Sequence, residues 1–217
     1  MKKAWIFLFI ALVSLSTHAK IRKVVVNPAG GGNDFGAHSR LFVEKEISLR
    51  FAKKIQSLNK KNRIDTTLTR FEDYPVHAND RIALVNQETD AIWISVHFSK
   101  AFGPNQITLY TLGDIPSSSI ESNYLIPIEK AHRPWISRST LLADEIIQTL
   151  SPELDPKHIT LSTPVESLYG INHPAVMIDC QLSDTALTPQ GVENLIDDLA
   201  ERISIATKTF IRKEKKL

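Results

Sequence analysis

The sequence predicts a single α/β domain with a central, mostly parallel or mixed sheet and helices on both faces. Three observations predict it. Short β-branched runs alternate along the chain with segments whose apolar residues recur at helical spacing. Several of those runs are apolar almost throughout, the mark of strands covered on both faces. The chain has 217 residues, 42% of them hydrophobic and 23% charged, which suits one domain with a full core and gives no reason to expect a second.

The elements follow in order. Residues 22–27 place Val24, Val25 and Val26 in a run stopped by Pro28, a buried strand. Residues 29–34 form a loop whose three glycines, Gly30 to Gly32, allow backbone angles closed to other residues. Leu41, Val43, Ile47, Phe51, Ile55 and Leu58 recur at helical spacing, and Ile64 to Thr69 alternates like a strand. Asn79 to Glu88 reads as a short helix, Ala91 to His97 as a second buried strand and Gln106 to Leu112 as another strand. Gly113, Pro116, Pro127 and Pro134 break residues 113–137 into an irregular connection. Arg138 to Leu150 is helical in pattern, and Pro174 to Cys180 is a last buried strand. Thr188 then offers an N-cap with Pro189 at the first helical position, opening a helix through about Thr207.

Residues 1–19 are set apart. Lys2 and Lys3, the apolar run from Ala4 to Leu15, and small residues leading to a cleavage point after Ala19 make a signal peptide, leaving residues 20–217 as the exported domain. The expected location is periplasmic or extracellular. The apolar run is shorter than the roughly 20 residues a membrane span needs, so no span is expected in the mature chain. Without the leader, 24 basic residues face 24 acidic ones. The only basic cluster is the tail, Arg212 to Lys216, so no nucleic-acid footprint is present. Cys180 is the single cysteine; it can form no internal disulfide and reads as a small buried hydrophobe.

Ligands of α/β sheets gather beyond the carboxyl ends of strands, which directs attention to residues 27–34, His97 and Asp179, with Glu44 near the start of the first helix. Two histidines and a glutamate with an open fourth position would make a catalytic zinc site, and a further carboxylate would serve as general base to the bound water. Ser57, Leu58, Asn59 and Lys60 fit a Ser-x-x-Lys pattern but lack its companion motifs.

Five collinear segments carry a more specific signal. Asn27-Pro28-Ala29-Gly30-Gly31-Gly32-Asn33-Asp34-Phe35-Gly36-Ala37 aligns without gaps to Asp-Pro-Gly-His-Gly-Gly-x-Asp-x-Gly-Ala. Glu44-Lys45-Glu46-Ile47-Ser48-Leu49 follows, then Leu68-Thr69-Arg70 with Arg81 and Asn86, then Ile94-Ser95-Val96-His97, then Pro174-Ala175-Val176-Met177-Ile178-Asp179. Together they resemble the zinc-dependent N-acetylmuramoyl-L-alanine amidases of bacterial cell walls. The resemblance implies that family's α/β domain, a zinc cofactor held by Glu44 and His97, Asp179 as the catalytic carboxylate, and peptidoglycan as the substrate, cut between N-acetylmuramic acid and L-alanine.

The pattern also breaks. Gly30 stands where the first zinc-binding histidine belongs, Asp179 stands for a glutamate, and Asn27 for an aspartate. His38 and Asp34 are the nearest substitutes for the missing ligand, His38 first, with His77, His132, His158 and His173 on unplaced loops. The alternative is therefore a non-catalytic homologue, a pseudoenzyme that binds peptidoglycan or a partner amidase or activator.

Overall fold

A computed structural model describes residues 23–113, 131–150 and 157–214. The signal peptide with its junction after Ala19, most of the irregular connection, and Lys215 and Lys216 lie outside the described residues. Within them, β1 spans Lys23–Pro28, α1 Glu44–Lys61, β2 Asp65–Leu68, α2 Ala78–Asn86, β3 Ala91–Lys100, β4 Gln106–Thr111, α3 Ile136–Thr149, β5 Lys157–Ser162, β6 Ala175–Leu182 and α4 Pro189–Glu214. Single 3₁₀ turns at Arg133–Trp135 and Glu166–Leu168 precede α3 and β6.

The six strands form one mixed sheet in the order β2-β1-β3-β6-β4-β5. β1, β2, β3 and β6 run parallel, while β4 pairs antiparallel with β6 and carries β5 parallel to itself. Because successive side chains point to opposite faces, each strand serves two layers. Val24, Val26, Ile92, Ile94, Val96, Val176 and Ile178 meet α1, α3 and α4 in the main core. Val25, Trp93 and Ala175 meet Val85 of α2 with Leu168 and Ile171 in a smaller core on the other face. Helices thus cover both faces, as expected.

Local chemistry explains the boundaries. The Thr188 hydroxyl accepts the Gly191 N–H at 3.1 Å and caps α4, with Pro189 at its first position. α4 runs past Thr207 because Phe210 and Ile211 continue its buried stripe and because Lys213 and Glu214 pair with Glu145 and Arg138 of α3. α1 begins at Glu44, later than the apolar spacing suggests, because His38 and Val43 form an antiparallel bridge that keeps the preceding residues extended. β5 has no counterpart in the sequence reading. β3 and β6 both continue past His97 and Asp179, held together through Lys100 and Leu182. Cys180 is buried in the main core, where burial raises its thiol pKa far above the ordinary value.

Candidate functional site

Four elements bring the site together. Glu44 is the first residue of α1, where carboxylates are favoured by the free N–H groups and the dipole. Its Oε2 accepts the Ala37 N–H at 2.8 Å and its Oε1 the Phe98 N–H at 3.2 Å. His97 of β3 places Nδ1 3.2 Å from the same Oε1. Burial, the largest influence, pushes the Glu44 carboxyl up, but the His97 ring and the two backbone N–H groups together hold it below its ordinary value.

The other His97 nitrogen is also engaged. Nε2 lies 3.0 Å from Ser95 Oγ, which accepts the Asn27 side-chain amide at 2.9 Å. An ionised Glu44 can only accept, which favours the His97 proton on Nδ1; Nε2 then accepts the Ser95 hydroxyl, whose oxygen still takes the Asn27 N–H. Asn27 is fixed in turn, its Oδ1 accepting from Thr69 at 2.8 Å and Arg81 at 2.5 Å. Ser95, His97 and Glu44 thus follow the hydrogen-bond order of a nucleophile, base and orienting acid. Ser95 is 0% exposed, however, so no substrate carbonyl reaches it.

Asp179 of β6 sits opposite His97 in the parallel register. Its carboxylate accepts Ser99 Oγ at 2.9 and 3.0 Å and Gln181 Nε2 at 3.2 Å. Burial outweighs these bonds and holds its pKa above the ordinary carboxylate value. An acid with a raised folded-state pKa costs stability when ionised. That cost is absent below the unfolded-state pKa and fully present above the folded one. Asp179→Asn is therefore expected to be more stable than the unaltered protein at pH 7. Urea unfolding at stepped pH checks this: the difference should shrink as pH falls through the raised Asp179 value.

The glycine loop after β1 is bound by cations. Arg81 donates to Pro28 O at 2.9 Å and Gly30 O at 2.8 Å. Arg70, fully buried, donates to Ala29 O and Lys45 O, each at 2.7 Å. Lys45 reaches Gly32 O at 2.8 Å and Asp73 at 2.7 Å, and Asp73 accepts the Gly32 N–H at 2.8 Å. Gly30 has φ +67°, and a Cβ there would stand 2.8 Å from Asp34 O and 3.0 Å from Lys45 Cβ. Sequence reasoning aligned Thr69, Arg70 and Arg81 without assigning them these roles, because the contacts span 25 to 54 residues.

The candidate substitute ligands lie as follows. His38 is exposed on the loop before α1, and Asp34 turns its carboxylate to the Gly36 N–H at 3.1 Å. His77 is an exposed residue preceding α2. His132 is buried between Ile171 O and Ser139, and His173 stacks near Trp135. His158 lies in β5, three strands from His97. Among the described residues no group of three His, Cys, Asp or Glu side chains is placed to hold a metal ion. Catalytic zinc normally rests on three protein ligands. Here Gly30 supplies none, and both His97 nitrogens face other partners, so the residues present do not fit such an ion.

The sheet order, with an acid at the head of α1 beside a histidine of β3 and a carboxylate of β6, defines the scaffold of a cell-wall amidase catalytic domain. The chain belongs to the N-acetylmuramoyl-L-alanine amidase family, whose pattern it matches over residues 24–208. It is 30% identical over 214 residues to N-acetylmuramoyl-L-alanine amidase AmiA of Escherichia coli K12, covering 86% of this chain and 73% of that one. Its fold is similar to the catalytic domain of the amidase CwlV from Bacillus (Paenibacillus) polymyxa var. colistinus, with TM-score 0.64 and 19% identity over 90% of this chain and 99% of that one. It is also similar to the CwlD amidase of Clostridioides difficile, solved with the GerS lipoprotein, with TM-score 0.65 and 16% identity over 90% and 98% of the two chains. It is an amidase-like cell-wall protein. Among the described residues no helix is long and apolar enough to cross a membrane.

Proposed function

We propose that this chain is an exported, non-hydrolysing member of the amidase family that binds peptidoglycan. The observation that carries this reading is the state of the first ligand position. Gly30 has no side chain, lies in the left-handed region, and is packed against Asp34 and Lys45 so that no side chain fits. The remaining pair, Glu44 and His97, satisfies itself with Ser95 and backbone N–H groups instead of pointing donors at a shared ion. A carboxylate one methylene short at Asp179, turned to Ser99 and Gln181, adds to the same reading.

The second reading, hydrolysis of the amide between N-acetylmuramic acid and L-alanine, is favoured by the contact of Glu44 with His97 and by Asp179 beside it. On that reading Glu44 and His97 would be zinc ligands, joined by His38 if its loop moved. Because CwlD was solved with a lipoprotein, a partner protein is a further candidate occupant of this scaffold. The leader supports export, to the periplasm or beyond.

Two assays on the purified protein separate the readings. The expected result is co-sedimentation with insoluble sacculi and no dye release from labelled cell wall, with or without added zinc. Dye release that disappears in a His97→Ala variant would overturn the non-hydrolysing reading in favour of the second.

A further inference from the structure

At the amino end of β6, away from His97 and Asp179, another histidine is built into the fold. His132 precedes the 3₁₀ turn Arg133–Trp135 and is 0% exposed. Its Nδ1 lies 3.1 Å from Ile171 O and its Nε2 2.9 Å from Ser139 Oγ of α3, which accepts the Ala175 N–H at 2.9 Å. Ile171 O only accepts, so Nδ1 carries the proton. Nε2 is left to accept the Ser139 hydroxyl, whose oxygen still takes the Ala175 N–H. Every group is paired while the ring is neutral. A second proton, on Nε2, would face the Ser139 hydroxyl donor to donor and place a charge out of reach of water.

Among the described residues no charge balances it. The surrounding elements carry Arg133 in the turn, Arg138 of α3 with its partner Glu214 of α4, and Glu88 and Asp90 between α2 and β3. None of them acts on His132. Burial, the largest influence, holds its pKa below the ordinary histidine value, and only the Ile171 carbonyl opposes it. Glu88 and Asp90 act instead on His173, which burial also lowers.

The turn is held by the same segment. Trp135 donates its indole N–H to Asn172 Oδ1 at 2.8 Å, and its ring lies 5.9 Å from His173. These contacts tie residues 132–139 to residues 171–175. On its other side that segment is held by Asn86 of α2, through Gly170 O and the Asn172 N–H. Just before it, Val165, Glu166 and Ser167 line a cavity that His97 also lines.

We infer that His132 is an acid-sensed latch. Neutral, it ties the turn and the head of α3 to the segment entering β6; protonated, it lets them part and loosens the wall formed by residues 165–167. Parted, His132 takes up a proton near its ordinary value of about 6.5; joined, it does so only at lower pH. The latch is therefore firmest above about pH 6.5, and each unit below favours the open form by up to about tenfold, until the lowered value is passed. The effect on a wall ligand rests on the peptidoglycan-binding reading; the latch itself does not.

The test follows hydrogen exchange of the full chain from neutral pH downward. Opening at the Ala175 N–H and the Trp135 indole N–H is expected to rise by up to about tenfold per pH unit, while the Val25 amide of the sheet stays protected. His132→Asn, neutral throughout and able to donate to Ile171 O, should lose that factor. Long-range ¹⁵N spectra of the unaltered chain need no variant: His132 should show the Nδ1–H tautomer and titrate below the ordinary histidine value. The Nε2–H tautomer, an ordinary titration, an equal acid response in His132→Asn, or loss of protection at Val25 in step with Ala175 would each overturn the latch. Sacculus sedimentation of the same samples keeps the two readings apart. Binding that weakens with opening, and less so in His132→Asn, supports the link to the site, and binding that holds while Ala175 opens overturns that link. A chain that sediments at no pH overturns the wall function, and the exchange result still decides the latch.

Discussion

Phe51→Ala is expected to destabilise the protein by about 3–5 kcal/mol, the range for deleting a large aromatic ring from a packed core. Phe51 is 0% exposed. Its ring meets Phe98 edge-on, centroids 5.4 Å apart at 82°, and Phe98 also packs on Phe42 at 6.4 Å. The consequence for function comes from where these rings sit. Phe51 lies two turns along α1 from Glu44, on the same face. Phe98 directly follows His97 and gives its N–H to Glu44. The aromatic contact therefore fixes the head of α1 against β3 and sets the distance from Glu44 to His97. With about 2–4 °C per kcal/mol for a domain of this size, the melting temperature should fall by roughly 6–20 °C. Thermal unfolding followed by circular dichroism measures it. Phe51→Leu, which keeps most of the volume, should lose much less, and an equal loss in both variants would show that ring geometry rather than filled space is what holds α1.

The sequence carries the framework more completely than the site. The strands from β1 to β4 and β6 announce themselves through β-branched or apolar runs, and Glu44, His97 and Asp179 through spacing that a resemblance could align. What escaped has physical reasons. β5 is an edge strand paired only with β4, and its short segment, with lysine, histidine, serine and threonine among its residues, lacks the continuous apolar signature of the buried strands. His97 and Asp179 read as strand ends, but β6 inserts between β3 and β4, and the extra pairing carries both strands three residues further. The grip of Arg70 and Arg81 on the glycine loop depends on tertiary closeness that periodicity does not encode. Gly30 is the clearest case. Its identity says that a ligand is missing, while only its backbone says that the surrounding loop leaves no room for one.

That distinction makes Gly30→His a sharp experiment. If the site had merely lost a side chain, restoring histidine, with Asp179→Glu to restore reach, would rebuild a third ligand and tight zinc binding. The structure leads to the opposite expectation. At φ +67° a non-glycine residue is held in a sparsely populated region, costing about 1–3 kcal/mol. The new Cβ would also press on Asp34 O at 2.8 Å and on Lys45 Cβ at 3.0 Å. Neither neighbour gives way easily. The Asp34 carbonyl accepts the Gly31 N–H at 2.9 Å, and Lys45 is tied to Gly32 and Asp73. The Gly30 carbonyl, moreover, is held by Arg81, so rotating the peptide to a right-handed conformation would break that bond. Gly30→His is thus expected to lower stability by about 2–4 kcal/mol, strain and overpacking together, and to bind zinc no more tightly than the unaltered chain. Calorimetric titration with zinc, beside thermal unfolding of the same variant, decides it. A stable variant that takes up one tightly bound zinc would mean that the loop relaxes around the new ligand, and that the metal site here is one substitution from repair.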